Sequence, residues 1–462
     1  MNCAHPISKT AGLSCLRALT LLLGIFIFIP ASRGEPVSRE GRVVIKYWEK
    51  WTGFEGDAMK AVVDDFNASQ NRIYVDYLTI SEIDRKLMLA TGGGNPPDVA
   101  GVWSFMVPVY AENNALTPLD KLAAKYGLKR DDYIDVYWQL CCHRGRLWAL
   151  PTTPASLALH WNKKMFRAAG LDPEKPPRSI AELEMMNEKL TRTNEDGTLK
   201  VVGHLADEPG WWSTNWNFWF GGSYYDNDHL TVDTPENRAS FEWMQSYPKR
   251  FGKENVLLFK EGFGNSFASP QNPFFREKVA MVIQGVWMYN FIKNYAPKDF
   301  EWGVAPFPSV DPVKLKDVTI VEEDILVIPV GSKHPHEAFE FMKYVNSQKP
   351  MEKLCMGQRK FTPLKKVSPE FLKTHPNPYI KIFIDLAKSP NAKTLPSVTT
   401  WTQLKSDLIW AVGEVMRVMT TPQDALMYVQ KHQQKALDRR NELWGRIQNE
   451  RLKEWDRREA EL

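Results

Sequence analysis

Read for its apolar and polar positions, the chain opens its folded part as alternating strands and amphipathic helices. Val43 to Tyr47 (VVIKY) is a short apolar run that predicts a strand. Thr52 followed by Glu55 has the spacing of a capping box. The helix it announces carries Met59, Val62, Val63 and Phe66, the i, i+3, i+4, i+7 positions of one buried face. Ile73, Val75 and Tyr77 alternate as in a second strand, and Ser81 with Asp84 predicts another cap ahead of Ile83 and Leu87. GGGNPP at 92–97 marks a turn before Asp98 to Val102 (DVAGV), a third strand. Strands alternating with helices predict an α/β fold with a parallel sheet and right-handed crossovers.

A second region begins near Pro154. Ser156 to Trp161 predicts a strand, and Asn162 to Gly170 a helix with glycine as its C-cap. Glu277 to Trp287 (EKVAMVIQGVW) is an apolar run ending in Gly-x-Trp. Gly303 to Pro308 (GVAPFP) is stiff and suited to a crossing between lobes, and Asp324 to Pro329 (DILVIP) predicts a buried strand. Pro335 to Asn346 places Ala338, Phe341, Met342 and Val345 on one helix face. Residues 431–462 hold nine basic and seven acidic side chains, with Glu442–Arg446 and Glu454–Arg458 at i, i+4 on a solvated helix. Leu443, Trp444, Ile447, Leu452 and Trp455 are too irregular for a coiled coil.

The amino terminus reads differently. Lys9 and Arg17 precede the apolar run Ala18 to Ile29, Ser32 and Gly34 suit a cleavage site, and no acid occurs before Glu35. This is the pattern of a signal peptide over residues 1–34. Its removal takes away Lys9, Arg17 and Arg33 and brings the formal charge from +4 to +1. A chain so near neutrality has no electrostatic footprint for nucleic acid. Three cysteines then remain, Cys141, Cys142 and Cys355. They are read either as one disulfide to Cys355 or as buried thiols acting as small hydrophobes.

With 462 residues the chain has room for more than one domain, and its 17 tryptophans call for either large cores or a ligand site with flat apolar walls. In open α/β sheets ligands bind beyond the carboxyl ends of strands. Here those positions hold Trp48, Glu49, Lys50 and Trp51, then Ser81 and Glu82, then Trp103 and Ser104. The segment Pro209 to Asp228 (PGWWSTNWNFWFGGSYYDND) adds four tryptophans interleaved with Ser, Asn and Asp. It reads as a binding wall, with packed core as the alternative. Aromatic faces interleaved with hydrogen-bonding groups suit a pyranose, which has an apolar face and a rim of hydroxyls. There is no G-x-S-x-G, H-E-x-x-H or C-x-x-C, and no cofactor or metal site is predicted.

Several stretches carry a family resemblance: YWEKWTGFEGDAMKAVVDDFN (47–67), LATGGGNPPDVAGVW (89–103), LDPEKPPRSIAELEMMNEKLT (171–191), FREKVAMVIQGVW (275–287), WGVAPFP (302–308), ILVIPVGSKHPHEAFEFMKYV (325–345) and TTPQDAL (420–426). In that order, the chain resembles the extracellular solute-binding proteins of ABC carbohydrate importers, the maltose- and glycerol-phosphate-binding type. The resemblance implies a periplasmic-binding-protein fold of two discontinuous α/β lobes joined by hinge strands. It places lobe 1 at 43–153 and 309–360 and lobe 2 at 154–304 and 363–430, with a charged helical extension at 431–462. It implies capture of a sugar by hinge closure, delivery to a membrane permease, an exported and monomeric protein, and no catalysis. Binding positions carry over to Glu49, Trp51, Trp103 and Ser104, to Trp211, Trp212, Trp216 and Asn217, and to Gly285, Trp287, Glu323 and Arg359. In this reading the tryptophans stack on rings while Glu49, Glu323 and Arg359 bind hydroxyls. The Glu322–Glu323 region departs from the family's glycine-rich pattern. Two rivals remain: a secreted glycoside hydrolase or lyase using Glu49 and Glu323 as its two carboxylates, and a binder of a non-sugar solute.

Overall fold

The computed structural model describes residues 39–207, 212–263 and 268–462. The predicted signal peptide and Trp211 lie outside these residues. The first half forms β1 (Val43–Glu49), α1 (Gly53–Ser69), β2 (Ile73–Thr79), α2 (Ile83–Gly92) and β3 (Val99–Trp103), with β1 parallel to both β2 and β3. The chain then enters the 14-residue β4 (Ala149–Asn162), buried along its whole length. Asn162 caps the next helix by accepting from Met165 N at 3.0 Å, and Gly170 ends that turn with a positive φ that glycine accepts without strain. After α3 (Pro235–Phe251) come β5 (Met281–Gly285), β6 (Trp302–Ala305) and β7 (Thr319–Val327). The chain closes with α4 (Pro335–Val345), α5 (Gln348–Gln358), the short β8 (Ala392–Lys393), α6 (Trp401–Met416) and the 39-residue α7 (Pro422–Ala460).

One sheet runs β5-β4-β7-β3-β1-β2, with β6 also on β4 and β8 on β7. β4 and β7 are antiparallel and form its middle. Two large cores lie at its ends. The first gathers Tyr47, Val62 and Phe66 with Phe341 and Met342 of α4 and Leu354 of α5. The second gathers the far end of β4, β5, α3, α6 and the start of α7. Along β7, Ile320 belongs to the second core and Ile325 to the first, so this strand passes between them. β4 does the same in the opposite direction, from Leu150 to Leu157.

The structure differs from the sequence reading in several places. The crossing lies in β7 rather than in Gly303–Pro308: β6 pairs with β4, and Phe307 is buried in the second core. Residues 309–318 accordingly stay with that core, where Val310 N reaches Trp219 O at 3.1 Å. Phe371 sits in the first core, beyond residue 360. Neither predicted helix cap forms. Thr52 makes no capping hydrogen bond, and Glu55 turns to Lys360 instead. α2 is entered through Glu82 in the left-handed region, while Asp84 accepts from Tyr110 Oη at 3.1 Å. The three cysteines among the described residues are free, with Cys141 and Cys355 buried.

Candidate functional site

A cavity of about 430 Å³ opens where the two cores face each other across β4 and β7. From the first-core side come Trp51, just past β1, and Trp103, at the end of β3. Their rings meet edge-on at 6.0 Å, and Trp103 stacks on Phe105 at 6.0 Å. From the second-core side come Trp212, Trp287, Phe291 and Trp401, with Trp212 and Trp287 at 6.1 Å. Gly285 explains the pose of Trp287: a Cβ there would lie 2.3 Å from the indole, so only glycine lets the ring lie against β5. Trp401, Lys405 and Ile409 recur every four residues along α6, which sets them on one face toward the cavity.

The floor is ionic. Between Glu323 and Ile325 the register of β7 slips, so that Thr152 and Thr153 of β4 together oppose Asp324. Such a bulge re-aims a side chain, and here Thr153 Oγ1 donates to Asp324 Oδ2 at 2.8 Å. Lys50 Nζ lies 3.1 Å from Asp324 Oδ1, and Lys360 Nζ lies 3.4 Å from Asp324 Oδ2 and 3.0 Å from Glu55 Oε1. Burial pushes the Asp324 carboxyl up, but Lys50 and Lys360 outweigh it and hold the group at about 2. Burial lowers Lys360, but Glu55 and Asp324 overcome this and hold it above its ordinary range. Burial, with some help from Asp324, pushes Glu322 up to about 7, against the pull of Lys360 and Lys405. Burial raises the Glu323 carboxyl well above its ordinary value, and Cys141 Sγ donates toward its Oε1 at 3.6 Å.

The walls also hold unspent hydrogen-bonding capacity. Nε1 of Trp51, Trp212 and Trp401 and Oδ1 of Asn215 are buried and have no hydrogen-bond partner among the described residues. Buried polar atoms left so are costly, about 1–3 kcal/mol each, unless a ligand or water meets them.

Of the residues singled out in the sequence, Trp51, Trp103, Trp212, Trp287 and Glu323 line this cavity. Gly285 supports one of them from behind. Glu49 lies just beneath the floor, its Oε2 bonded to Tyr47 Oη and its Oε1 accepting from Lys50 N at 2.7 Å. Ser104 is buried beside a small neighbouring cleft. Trp216 and Asn217 lie elsewhere, in the second core: Trp216 donates Nε1 to Ala206 O and packs on Trp243 at 5.1 Å. Arg359 caps α5 in the left-handed region and donates to Asn290 Oδ1 at 3.0 Å, while its neighbour Lys360 faces the cavity. Sequence reading passed over Glu55, Phe105, Thr153, Asp324, Lys360, Trp401 and Lys405. The fourfold spacing of Trp401, Lys405 and Ile409 was a signal available for three lining positions.

Two lobes joined by antiparallel strands over an aromatic cleft define the two-lobed periplasmic binding-protein class. The model for the family described as bacterial extracellular solute-binding protein matches residues 54–352, and the chain belongs to that family. The chain is 23% identical over 337 residues to the multiple sugar-binding protein of Streptococcus mutans, covering 68% of this chain and 74% of that one. Among solved structures it resembles the protein CpMnBP1 with mannobiose bound, at TM-score 0.73 and 26% identity, covering 84% of this chain and 99% of that one. The sugar-binding protein MalE of the phytopathogen Xanthomonas citri gives TM-score 0.71 at 18% identity over 87% of this chain and 99% of that one, a likeness of fold alone.

Proposed function

We propose that this protein is the exported sugar-binding component of an ABC importer. It captures a neutral saccharide between its lobes by hinge closure and hands it to a membrane permease as a monomer, without altering it. The observation that carries this reading is a cavity walled by five tryptophans from both cores, with three indole N–H groups that have no partner among the described residues, over an ionic floor. Indole faces suit the apolar side of sugar rings, and charged or N–H groups suit the hydroxyl rim. The pairing of Lys50 and Lys360 with Asp324 and Glu55 leaves little net charge in the floor, which favours an uncharged ligand. In this reading each core is one lobe, with residues 309–318 going to the second and Phe371 to the first, and β4 and β7 are hinge strands that rotate on ligand contact with both sides. Mannobiose and the sugars bound by the relatives define the first ligands to try. The N-terminal 34 residues are assigned as the export signal.

The hydrolase alternative requires two carboxyl groups about 5–10 Å apart across one bond, one of them protonated as general acid. Of its two candidates only Glu323 lines the cavity, while Glu49 lies beneath the floor, engaged by Tyr47 Oη and Lys50 N. Titration calorimetry against manno- and malto-oligosaccharides tests the proposal. Saturable binding of at least one saccharide, recovered intact after prolonged incubation, is expected. Release of new reducing ends would instead reveal a hydrolase, and silence across the whole panel would refute sugar capture.

A further inference from the structure

One helix is shared between the two cores. In α7, Leu426, Val429 and Leu437 are buried in the second core, whereas Trp444 and Trp455 are buried in the first. Its 39 residues rise about 1.5 Å each, roughly 58 Å in all. Polar contacts fasten both ends. Near its start, Leu230 N donates to Gln434 Oε1 at 2.9 Å, and Gln433 Nε2 donates to Asp407 Oδ2 at 2.6 Å. Near its end, Trp455 meets Trp148 edge-on at 4.6 Å, and Glu459 accepts from Lys121 N at 2.8 Å and from Arg146 Nη1 at 3.0 Å.

Between these anchors the helix crosses from one core to the other over residues 438–443, where Arg440 Nε donates to Glu112 Oε2 at 3.2 Å. A cavity of about 220 Å³ lies against Leu437 and Asn441, with Glu112, His143 and Arg144 on one side and Tyr225 and Asp228 on the other.

We propose that α7 is a strap that limits how far the lobes open. The proposal rests on the hinge reading of the function. An unbroken helix anchored in both lobes cannot lengthen. Rotation about β4 and β7 that separates its anchors must either break the helix between Leu437 and Trp444 or peel the Trp444–Trp455 end from the first lobe. The buried indoles oppose peeling, so the empty protein is held within a narrow range of openings. A ligand then spends less of its binding energy on closure.

The test is the distribution of distances between spin labels on cysteines introduced at exposed Lys60 and Lys189, in a Cys142→Ser background and without sugar. With α7 intact a single narrow distribution is expected. Trp455→Ala combined with Glu459→Gln should broaden it and move its mean to longer distance. An unchanged distribution in a folded double variant overturns the strap. Should that variant fail to fold, Arg146→Gln, which keeps both indoles but loses the ion pairs to Glu459 and Asp456, decides by the same broadening or its lack. No sugar enters the measurement, so a protein that binds no saccharide would refute the proposed function and leave this result standing.

Discussion

Trp212 and Trp216 stand four residues apart in one aromatic segment, yet they differ in what their indole nitrogens do. Trp216 Nε1 donates to the backbone of Ala206, and its ring is enclosed by Trp219, Trp243 and Phe307. Trp212 Nε1 has no partner among the described residues, and its ring forms part of the cavity wall. Both are more than nine-tenths buried, so exposure does not separate them. The satisfied ring belongs to the core, and the proposed function gives the unsatisfied one a ligand to meet.

The sharpest way to break this comparison is Trp216→Ala, expected to cost about 3–5 kcal/mol of stability because a large cavity replaces a packed ring. Chemical denaturation reads this directly, and a folded fraction of normal sugar affinity would accompany it. Lys360→Met comes next. It leaves Glu55 and Asp324 without one cation each, at about 3 kcal/mol. It also alters the acid limb: a carboxyl held at about 2 stabilises the fold above its ordinary value of 3.8 and loses that contribution as pH falls toward 2. Stability curves between pH 4 and 2 should therefore be shallower in the variant than in the parent. Trp212→Ala should weaken sugar binding by roughly 10- to 100-fold, as loss of an aromatic stacking surface of about 1.5–3 kcal/mol would. A melting-temperature drop as large as that of Trp216→Ala, with affinity intact, would reverse the assignment.

The smallest effect concerns Glu322. Its carboxyl titrates near 7 in the fold against 4.5 in the unfolded chain, so the folded state holds the extra proton between these values. Raising pH through that window removes stability. Glu322→Gln should flatten the decline, seen as a melting temperature that changes less between pH 5 and 8.

Much of the fold was written in periodicity. The β1-α1-β2-α2-β3 order, the buried face of α1 and the strand containing Ile325 all follow from apolar spacing, because burial on one face selects the pattern. The tryptophans past β1 and β3 were legible as well, since strand ends mark ligand sites in such sheets. Trp216 and Asn217 were not separable from Trp212, because composition is blind to which face a short 3₁₀ turn buries. Glu55 was masked by a plausible helix cap, and Asp324 by the apolar run it begins. Its exposure to the cleft depends on a register slip that only the pairing of β4 with β7 reveals. Lys360, not Arg359, faces the cavity because the residue ending α5 adopts φ 56° and turns its own side chain toward Asn290.

Gly101 of β3 lies beside Glu49 of β1 and outside the cavity lining. A methyl group at that position would fall 2.2 Å from Glu49 Oε2. Glu49 touches Lys50, Lys50 touches Asp324, Asp324 touches Lys360, and Lys360 touches Glu55. A single added carbon on β3, beside Glu49, would thus be felt through four ionic links at the cavity floor. Selectivity in this protein can drift by substitutions that never meet the solute.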